Sequence, residues 1–368
     1  MTAPYDVVVV GAGPVGAACA RELALAGRRV QLLEAGGDEG QAWRAAAGML
    51  APQIESGHED PLLELGVAAR EHYRPLADAL RETTGLDVGL WQEGIAWVAA
   101  DETEAAELRS KVAWQRQQGL LSDWLDAGEV QARWPWLRPT HGALWAAHDG
   151  ALAPDKLVRA LLADASRLGV GMTHDRVTAL ECRGDRVIGV VGQRGRYAAD
   201  SVVLAAGAWS GTIVGPPRPV SVEPVRGQMV ALAWPTGTAR AIVYGRDCYV
   251  LARGDEAIVG STMEYVGFRP DTTPEGQAGI VECAGELSAE FIASPVRRGW
   301  AGLRPMTPDG LPLLGSEPRL AGLWYATGHG RHGILLAGLS GLLIRQLVNG
   351  EPPAEDLAPF APDRFWKW

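Results

Sequence analysis

Three glycines and a glutamate near the start of the chain have the spacing to hold a phosphorylated ligand. Gly11, Gly13 and Gly16 stand in G-x-G-x-x-G order, and Glu34 follows about twenty residues further on. The first glycine permits a tight turn, the second lets backbone approach a pyrophosphate, and the third lets a helix press against the preceding strand. That helix opens with Pro14 and Val15 and would present free N–H groups and a partial positive charge. A carboxylate at Glu34 accepts the protons of both ribose hydroxyls and repels a 2′-phosphate. The ligand indicated is an ADP-containing dinucleotide, FAD or NAD. The alternative is a Gly-rich turn without ligand, and strand, helix and acid in register weigh against it.

A second cluster, Gly328-His329-Gly330-Arg331-His332-Gly333, repeats the glycine spacing. Its context differs, because Pro352, Pro353 and a short tail follow its helix and no strand supplies a ribose-binding acid. It offers instead a helix N-terminus carrying Arg331 and two histidines. Such an end stabilises negative charge, which suits the anionic ring of a reduced flavin. The small-residue run at 42–52, AWRAAAGMLAP, reads either as helix packing or as a surface against which a flat ring lies.

The elements that position these residues read as follows. A valine-rich strand over 6–10 is buried on both faces, a helix spans 15–26, and a strand spans 29–33. The loop at 35–40 leads toward an amphipathic helix over 60–84, a strand over 94–99 and a charged helix over 102–119. Residues 122–142 read as irregular, broken by Trp134-Pro135-Trp136 and Pro139. A helix over 155–169 precedes a β-meander over 177–199 and a buried strand over 201–207 that ends in Gly207, counted among the cofactor residues. Antiparallel strands are expected over 227–234, 240–244, 249–252 and 257–263, then a helix over 273–291, a strand over 323–326 and a last helix over 334–348. No repeating βαβ array lies between 60 and 170, which disfavours a nicotinamide domain. The fold class expected is α/β (α+β). A two-dinucleotide-binding-type FAD domain (1–85, 145–215 and 295–368) is joined to a mostly antiparallel β substrate domain (86–144 and 216–294).

Bulk properties agree. A length of 368 residues suits two domains sharing one cofactor, and 47% hydrophobic with 21% charged residues describes a soluble globular protein. A net charge of −10 argues against nucleic acid or an anionic membrane as partner. No apolar run approaches the roughly 20 residues of a membrane span, and no secretory signal precedes the first strand. Cys19, Cys182, Cys248 and Cys283 are scattered without a C-x-x-C, suggesting neither a metal site nor a disulfide framework, so a reducing cytoplasm fits. The seven histidines form no ligand-like cluster, and no metal is expected.

Taken together, VVVVGAGPVG, AAAGML, VVLAAGAWS, CYV-x-x-R, GLRPMTPDGLPLLG and GHGRHGILLAG resemble the FAD-dependent D-amino-acid oxidase/sarcosine oxidase family, especially its glycine-oxidase branch, over nearly the whole chain. The resemblance implies an FAD site at Pro14, Val15, Glu34, Ala35, Ala42, Trp43, Ala47, Gly48, Met49 and Val177. It continues through His329, Gly330, Arg331, His332, Gly333, Ile334 and Leu335. It also implies that Arg304 grips a substrate carboxylate, that Tyr249 and Met263 line the pocket, and that Arg331 lies close to substrate and flavin. A planar, permanently charged guanidinium is the best bidentate partner for an amino-acid carboxylate, the alternative being a structural ion pair between domains. Two positions depart from the family pattern: Asp247 where relatives have His, and His332 where they have Asn. Sarcosine oxidase holds its flavin through a cysteine in the C-terminal half; no cysteine follows Cys283 here, so noncovalent FAD is expected.

The implied reaction is oxidative deamination of glycine and other small amines (sarcosine, short D-amino acids) to keto acid, ammonia or amine, and hydrogen peroxide. The imine would supply the thiazole moiety of thiamin. No residue is assigned as general base, because a neutral amine can release hydride directly. The partners expected are a small amino acid and oxygen, with self-association left open. The rivals are a D-amino-acid dehydrogenase using another acceptor, a sarcosine or secondary-amine oxidase, a flavin-binding protein without turnover, and an NAD-dependent dehydrogenase.

Overall fold

Tyr5–Val10 is the centre of a parallel layer. Its last four residues, all valine, are buried. It pairs in parallel with Val30–Glu34 on one side and with Arg196–Leu204 on the other. A computed structural model describes residues 5–37, 40–57 and 60–365. Asp38 and Glu39 of the expected 35–40 loop lie outside the described residues. Across this eight-stranded sheet the order is Val177–Arg183, Arg186–Gly192, Arg196–Leu204, Tyr5–Val10, Val30–Glu34, Gly171–His174. Leu323–Thr327 lies parallel to Arg196–Leu204, with Leu313–Ser316 antiparallel beside it. The meander and the expected 201–207 strand thus merge, since Arg196–Leu204 runs through both.

Helix Pro14–Leu25 packs against Gly333–Val348 so closely that a Cβ on Gly341 would sit 2.7 Å from the Ala18 carbonyl carbon. Pro61–Thr84 joins them along Leu62, Leu65, Ala69, Tyr73, Leu76 and Leu80, an apolar stripe at helical spacing. Its ends are marked in the sequence. The Asp60 side chain accepts from Leu62 N at 2.9 Å, Pro61 takes the first position, and Gly85 closes the helix at φ 71°.

The second sheet has nine strands, in the order Gly40–Gln41, Arg298–Met306, Glu223–Ala233, Glu256–Gly260, Tyr249–Arg253, Ile242–Tyr244, Ile95–Val98, Ala143–Ala146, Ser122–Leu125. All neighbours are antiparallel except Ile242–Tyr244 with Ile95–Val98 and Gly40–Gln41 with Arg298–Met306. Arg298–Met306 carries GLRP and belongs to this sheet, although it falls within the segment assigned from sequence to the cofactor domain. Just beyond Arg304 the chain crosses to Leu313–Ser316 of the parallel sheet.

Three expectations are corrected. Residues 122–142 are not irregular throughout: they contain Ser122–Leu125 and a helix, Ala127–Arg133. Asp126 and Glu129 form its capping box, a D-x-x-E signal masked by the Trp and Pro that follow. The expected 273–291 helix is two, Pro274–Leu287 and Ala289–Ala293, broken where Ser288 is extended. Cys248 and Cys283 form a disulfide, with Cα atoms 6.2 Å apart. Their 35-residue separation gave no hint, because they meet only when the Pro274–Leu287 helix packs on the antiparallel sheet. Among the described residues no helix is long and apolar enough to cross a membrane, and no group of side chains could hold a metal ion.

Candidate active site

A cavity of about 960 Å³ runs from the glycine turn after Tyr5–Val10 to Arg304. At its deep end the three glycines have different reasons for being glycine. Gly11 sits at φ 102°, and a Cβ there would lie 2.5 Å from the Ala205 carbonyl oxygen. A Cβ on Gly16 would lie 1.8 Å from the Gly11 carbonyl oxygen, so the helix could not close on the turn. Gly13 is not crowded by the protein at all; its Cβ would meet only Trp43 Cδ1, at 3.6 Å. The open cradle over Gly13 is therefore space for a ligand. No side chain caps the helix that Gly13 begins, and Pro14 takes its first position, so its leading N–H groups face the cradle unpaired.

Glu34 is held toward this turn. Its Oε2 accepts from the Ala12 amide at 2.6 Å, and its Oε1 accepts from the Gly36 amide at 3.2 Å and Gln41 Nε2 at 3.3 Å. A carboxylate so placed keeps lone pairs for ribose hydroxyls. An ADP-containing cofactor fits this end of the cavity.

The cavity is also lined by Ala42, Trp43, Ala45, Ala46, Ala47, Gly48 and Met49 and by Val177, Ala205 and Gly207. The small-residue wall is fixed from outside. Arg253, the last residue of CYVLAR, donates to the carbonyls of Ala47 and Leu152, and Trp300 Nε1 donates to the Ala45 carbonyl at 3.2 Å. Gly48 has φ 88°, and a Cβ there would lie 2.1 Å from the Leu152 carbonyl oxygen. Ala35, Pro14, Val15, His329, Gly330, Arg331, Gly333 and Ile334 also line the cavity. Gly16, His332 and Leu335 do not: Gly16 lies beneath the turn, Leu335 in the helical core, and His332 against Glu55. His329 is buried with Nε2 3.0 Å from Ser340 Oγ, and burial pushes its pKa down to about 3. It is a neutral ring at working pH. The Tyr73 hydroxyl donates to the Ile334 carbonyl and anchors the first turn of Gly333–Val348.

Arg304, Tyr249, Met263 and Arg331 meet at the other end. Arg304 Nη1 donates to the Thr262 carbonyl at 3.0 Å and Nη2 to Ser261 Oγ at 2.6 Å, both neutral acceptors. Among the described residues it makes no ion pair. Three more deeply buried arginines do: Arg21 with Asp164 at 2.7 Å, Arg70 with Asp149 at 2.7 Å, and Arg218 with Glu317 at 2.8 Å, whereas Arg253 bonds the Ala47 and Leu152 carbonyls. Burial holds the Arg304 pKa below its usual value, but a guanidinium keeps its charge. A part-buried guanidinium that faces a cavity and bonds only to neutral acceptors is an anion site. The guanidinium lies over Gly227, where a Cβ would come within 2.1 Å of Nη1.

Tyr249 packs at a tilt against Tyr244, ring centroids 5.3 Å apart; burial raises its pKa, so its hydroxyl stays protonated, and it donates to Met229 Sδ at 3.7 Å. Met263 lines the cavity but is 51% exposed, so it stands at the mouth and not as an inner apolar wall. Asp247 is exposed on the same rim. Arg331 is half exposed and pairs with Glu55, Nε to Oε2 at 3.3 Å. Sequence reasoning missed Glu55, Gly227, Ser261 and Thr262. Each is placed by pairing between distant strands or by a four-residue helix, neither of which leaves a periodic signal; Gly227, for instance, lies opposite Gly302 in the register that sets Val225 opposite Arg304.

Comparison with known proteins gives concordant results. The sequence profile of the family described as DAO, FAD dependent oxidoreductase, matches residues 6–347. The chain is 36% identical to a glycine oxidase of Geobacillus kaustophilus (strain HTA426), covering 99% of this chain and 98% of that protein. It is 34% identical to the bifunctional protein ThiO/ThiG of Synechocystis sp., covering 99% of this chain and 55% of that longer protein. The crystal structure of glycine oxidase from Geobacillus kaustophilus superimposes with a TM-score of 0.94 at 34% identity, covering 99% of both chains.

Proposed function

The chain belongs to the family of FAD-dependent oxidoreductases, and from that premise we propose that it oxidises glycine and other small amines, with FAD bound noncovalently in the 960 Å³ cavity. The observation that carries this reading is Arg304, a part-buried guanidinium that lines the cavity and bonds no carboxylate among the described residues. Likeness to glycine oxidases over the full chain supports the same substrate.

Each set of residues has a task. Gly13, the unpaired N–H groups after it and Glu34 hold the pyrophosphate and ribose. The 42–49 wall together with His329, Gly330, Arg331, Gly333 and Ile334 would hold the flavin, and the start of Gly333–Val348 would stabilise negative charge on it. When bound, FAD supplies the two-electron acceptor that no side chain can provide. Arg304 grips the amino-acid carboxylate with its planar fork, and the Tyr249 hydroxyl donates beside it. This fixes the α-carbon and contributes by orientation. The products are the keto acid, ammonia or amine and, with oxygen as final acceptor, hydrogen peroxide. By likeness to ThiO/ThiG, the imine serves the thiazole moiety of thiamin. The cofactor and substrate domains follow the two sheets, and Arg298–Met306 links them.

Substrate handedness follows from the pinned carboxylate. With that group on Arg304 and a hydrogen directed at the cofactor, amine and side chain take two fixed directions. Two directions fixed in this way admit one hand of a chiral amino acid, and the resemblance to the D-amino-acid oxidase family assigns it as D. Glycine escapes this selection because either hydrogen serves. In a peroxide-coupled screen, glycine and sarcosine are expected to be oxidised, D-alanine and D-proline more weakly, and L-alanine and L-proline not at all. An L-amino acid that outpaced glycine would contradict both the substrate class and the geometry. Rapid turnover with an artificial acceptor but no peroxide would assign the chain to the dehydrogenases.

A further inference from the structure

Arg304 accounts for a carboxylate but not for an amine, and a site built on it alone would accept any small carboxylic acid. Among the described residues four acids line the cavity. Glu34 belongs to the nucleotide end, Asp175 accepts from Tyr197 Oη and the Arg194 amide, and Asp247 is exposed on the rim. The fourth is Glu55. We propose that Glu55 is the group that binds the substrate's ammonium, in the same cavity as Arg304, and takes up its proton to leave the neutral amine that reacts, and so selects amino acids from other carboxylates; this rests on the functional reading above.

The carboxylate of Glu55 is oriented on both oxygens. Oε1 accepts from the Tyr244 hydroxyl at 2.6 Å, while Oε2 lies 3.3 Å from Arg331 Nε and 3.4 Å from His332 Nδ1. Glu55, Arg304 and Tyr249 line the same cavity. Tyr244 packs against Tyr249, so the amine-side and carboxylate-side groups form one packed set.

What holds Glu55 is more elaborate than a surface ion pair requires. It ends Pro52–Glu55, a helix too short to be stable alone. Asp149 Oδ2 accepts from the Gln53 and Ile54 amides, both at 3.0 Å, and Arg70 Nη1 bridges Asp149 Oδ1 at 2.7 Å and Gln53 Oε1 at 2.6 Å. Gln115 Nε2 donates to the Gln53 carbonyl at 2.6 Å, and Lys111 Nζ donates to the Ile54 carbonyl. Asp149, Gln53 and Gln115 are fully buried and Arg70 nearly so. Burying two charges to fix one helical turn is expensive, and breaking such a pair more so. If Glu55 served only to neutralise Arg331, which is half exposed, water and a weak surface pair would suffice. A carboxylate fixed to this degree inside the cavity is a recognition group for a cation.

The test compares two ligands that differ only in the amine. Glu55→Gln keeps the volume and loses the charge. Its KM for glycine is expected to rise at least tenfold, about the cost of losing a charge-assisted contact. Binding of glycolate, which carries a hydroxyl in place of the amine and is read from the shift it causes in the flavin spectrum, is expected to be unchanged or tighter, because a negative charge has left the cavity. Structural damage would weaken both ligands together, and that result would overturn the assignment, as would an unchanged KM for glycine. The flavin spectrum reports whether the variant is folded. Should Glu55→Gln lose its flavin, Glu55→Asp carries the same comparison, with glycine again weakened and glycolate spared. Wild-type protein that failed to oxidise glycine would overturn the functional reading itself.

Discussion

Arg304→Ala is expected to remain yellow while its kcat/KM for glycine falls at least about 100-fold, since truncating one partner of a buried charge pair costs about 3–5 kcal/mol and each 1.4 kcal/mol is a factor of ten. The cofactor survives because Arg304 bonds to Ser261 and Thr262, just beyond the strand Glu256–Gly260, and not to the glycine turn. Arg304→Lys keeps the charge and loses the two-pronged geometry, so its kcat/KM falls between the two. Gly227→Ala is a companion that leaves the arginine in place. A Cβ within 2.1 Å of Nη1 must displace the guanidinium, and the same direction of loss is expected without any change of charge. Steady-state kinetics with glycine on flavin-loaded protein separate these outcomes. Kinetics close to wild type in Arg304→Ala would show that the carboxylate is held elsewhere, with Arg331 the next cation along the cavity.

The second large effect concerns the glycine turn, where two neighbouring substitutions should fail in different ways. Gly13→Val is expected to fold and to lose FAD almost completely. The protein leaves room for a side chain at Gly13, with only Trp43 Cδ1 at 3.6 Å from an added Cβ, and a valine there fills the cradle meant for the pyrophosphate. Gly16→Ala, by contrast, drives a methyl to 1.8 Å from the Gly11 carbonyl oxygen and should destabilise the fold itself. The readouts are thermal unfolding and the FAD recovered in the supernatant after acid precipitation, where noncovalent flavin of the wild type is expected in full. A Gly13→Val protein that kept its flavin would move the pyrophosphate away from this turn. Flavin retained in the wild-type precipitate would contradict noncovalent binding.

What could be read in the sequence was local. A continuous valine strand, three spaced glycines, a helix and an acid constrain one another within about thirty residues, and Tyr5–Glu34 folds as that pattern demands. The return strand ending near Gly207 was legible for the same reason, since a continuous apolar run identifies a strand buried on both faces. What could not be read was assembled across the chain. Gly227 looks like any strand glycine until Arg304 arrives from the neighbouring strand. Cys248 and Cys283 meet through helix-on-sheet packing. Arg253 sits in a recognisable motif, yet its role, holding the Ala47 carbonyl, appears only when the two sheets face each other. Glu55 carries no pattern, and its position is fixed by Asp149, Arg70, Gln115 and Lys111, all distant in sequence. The capping box at Asp126 is different: that signal was present, and the tryptophans and prolines after it concealed it.

The most direct test of FAD-dependent glycine oxidation is the visible spectrum of the purified protein, recorded without oxygen before and after adding glycine. The expected result is an oxidised flavin spectrum that bleaches with glycine and returns when air is admitted. A flavin spectrum that glycine leaves unchanged, or a colourless protein that FAD cannot reconstitute, would contradict it.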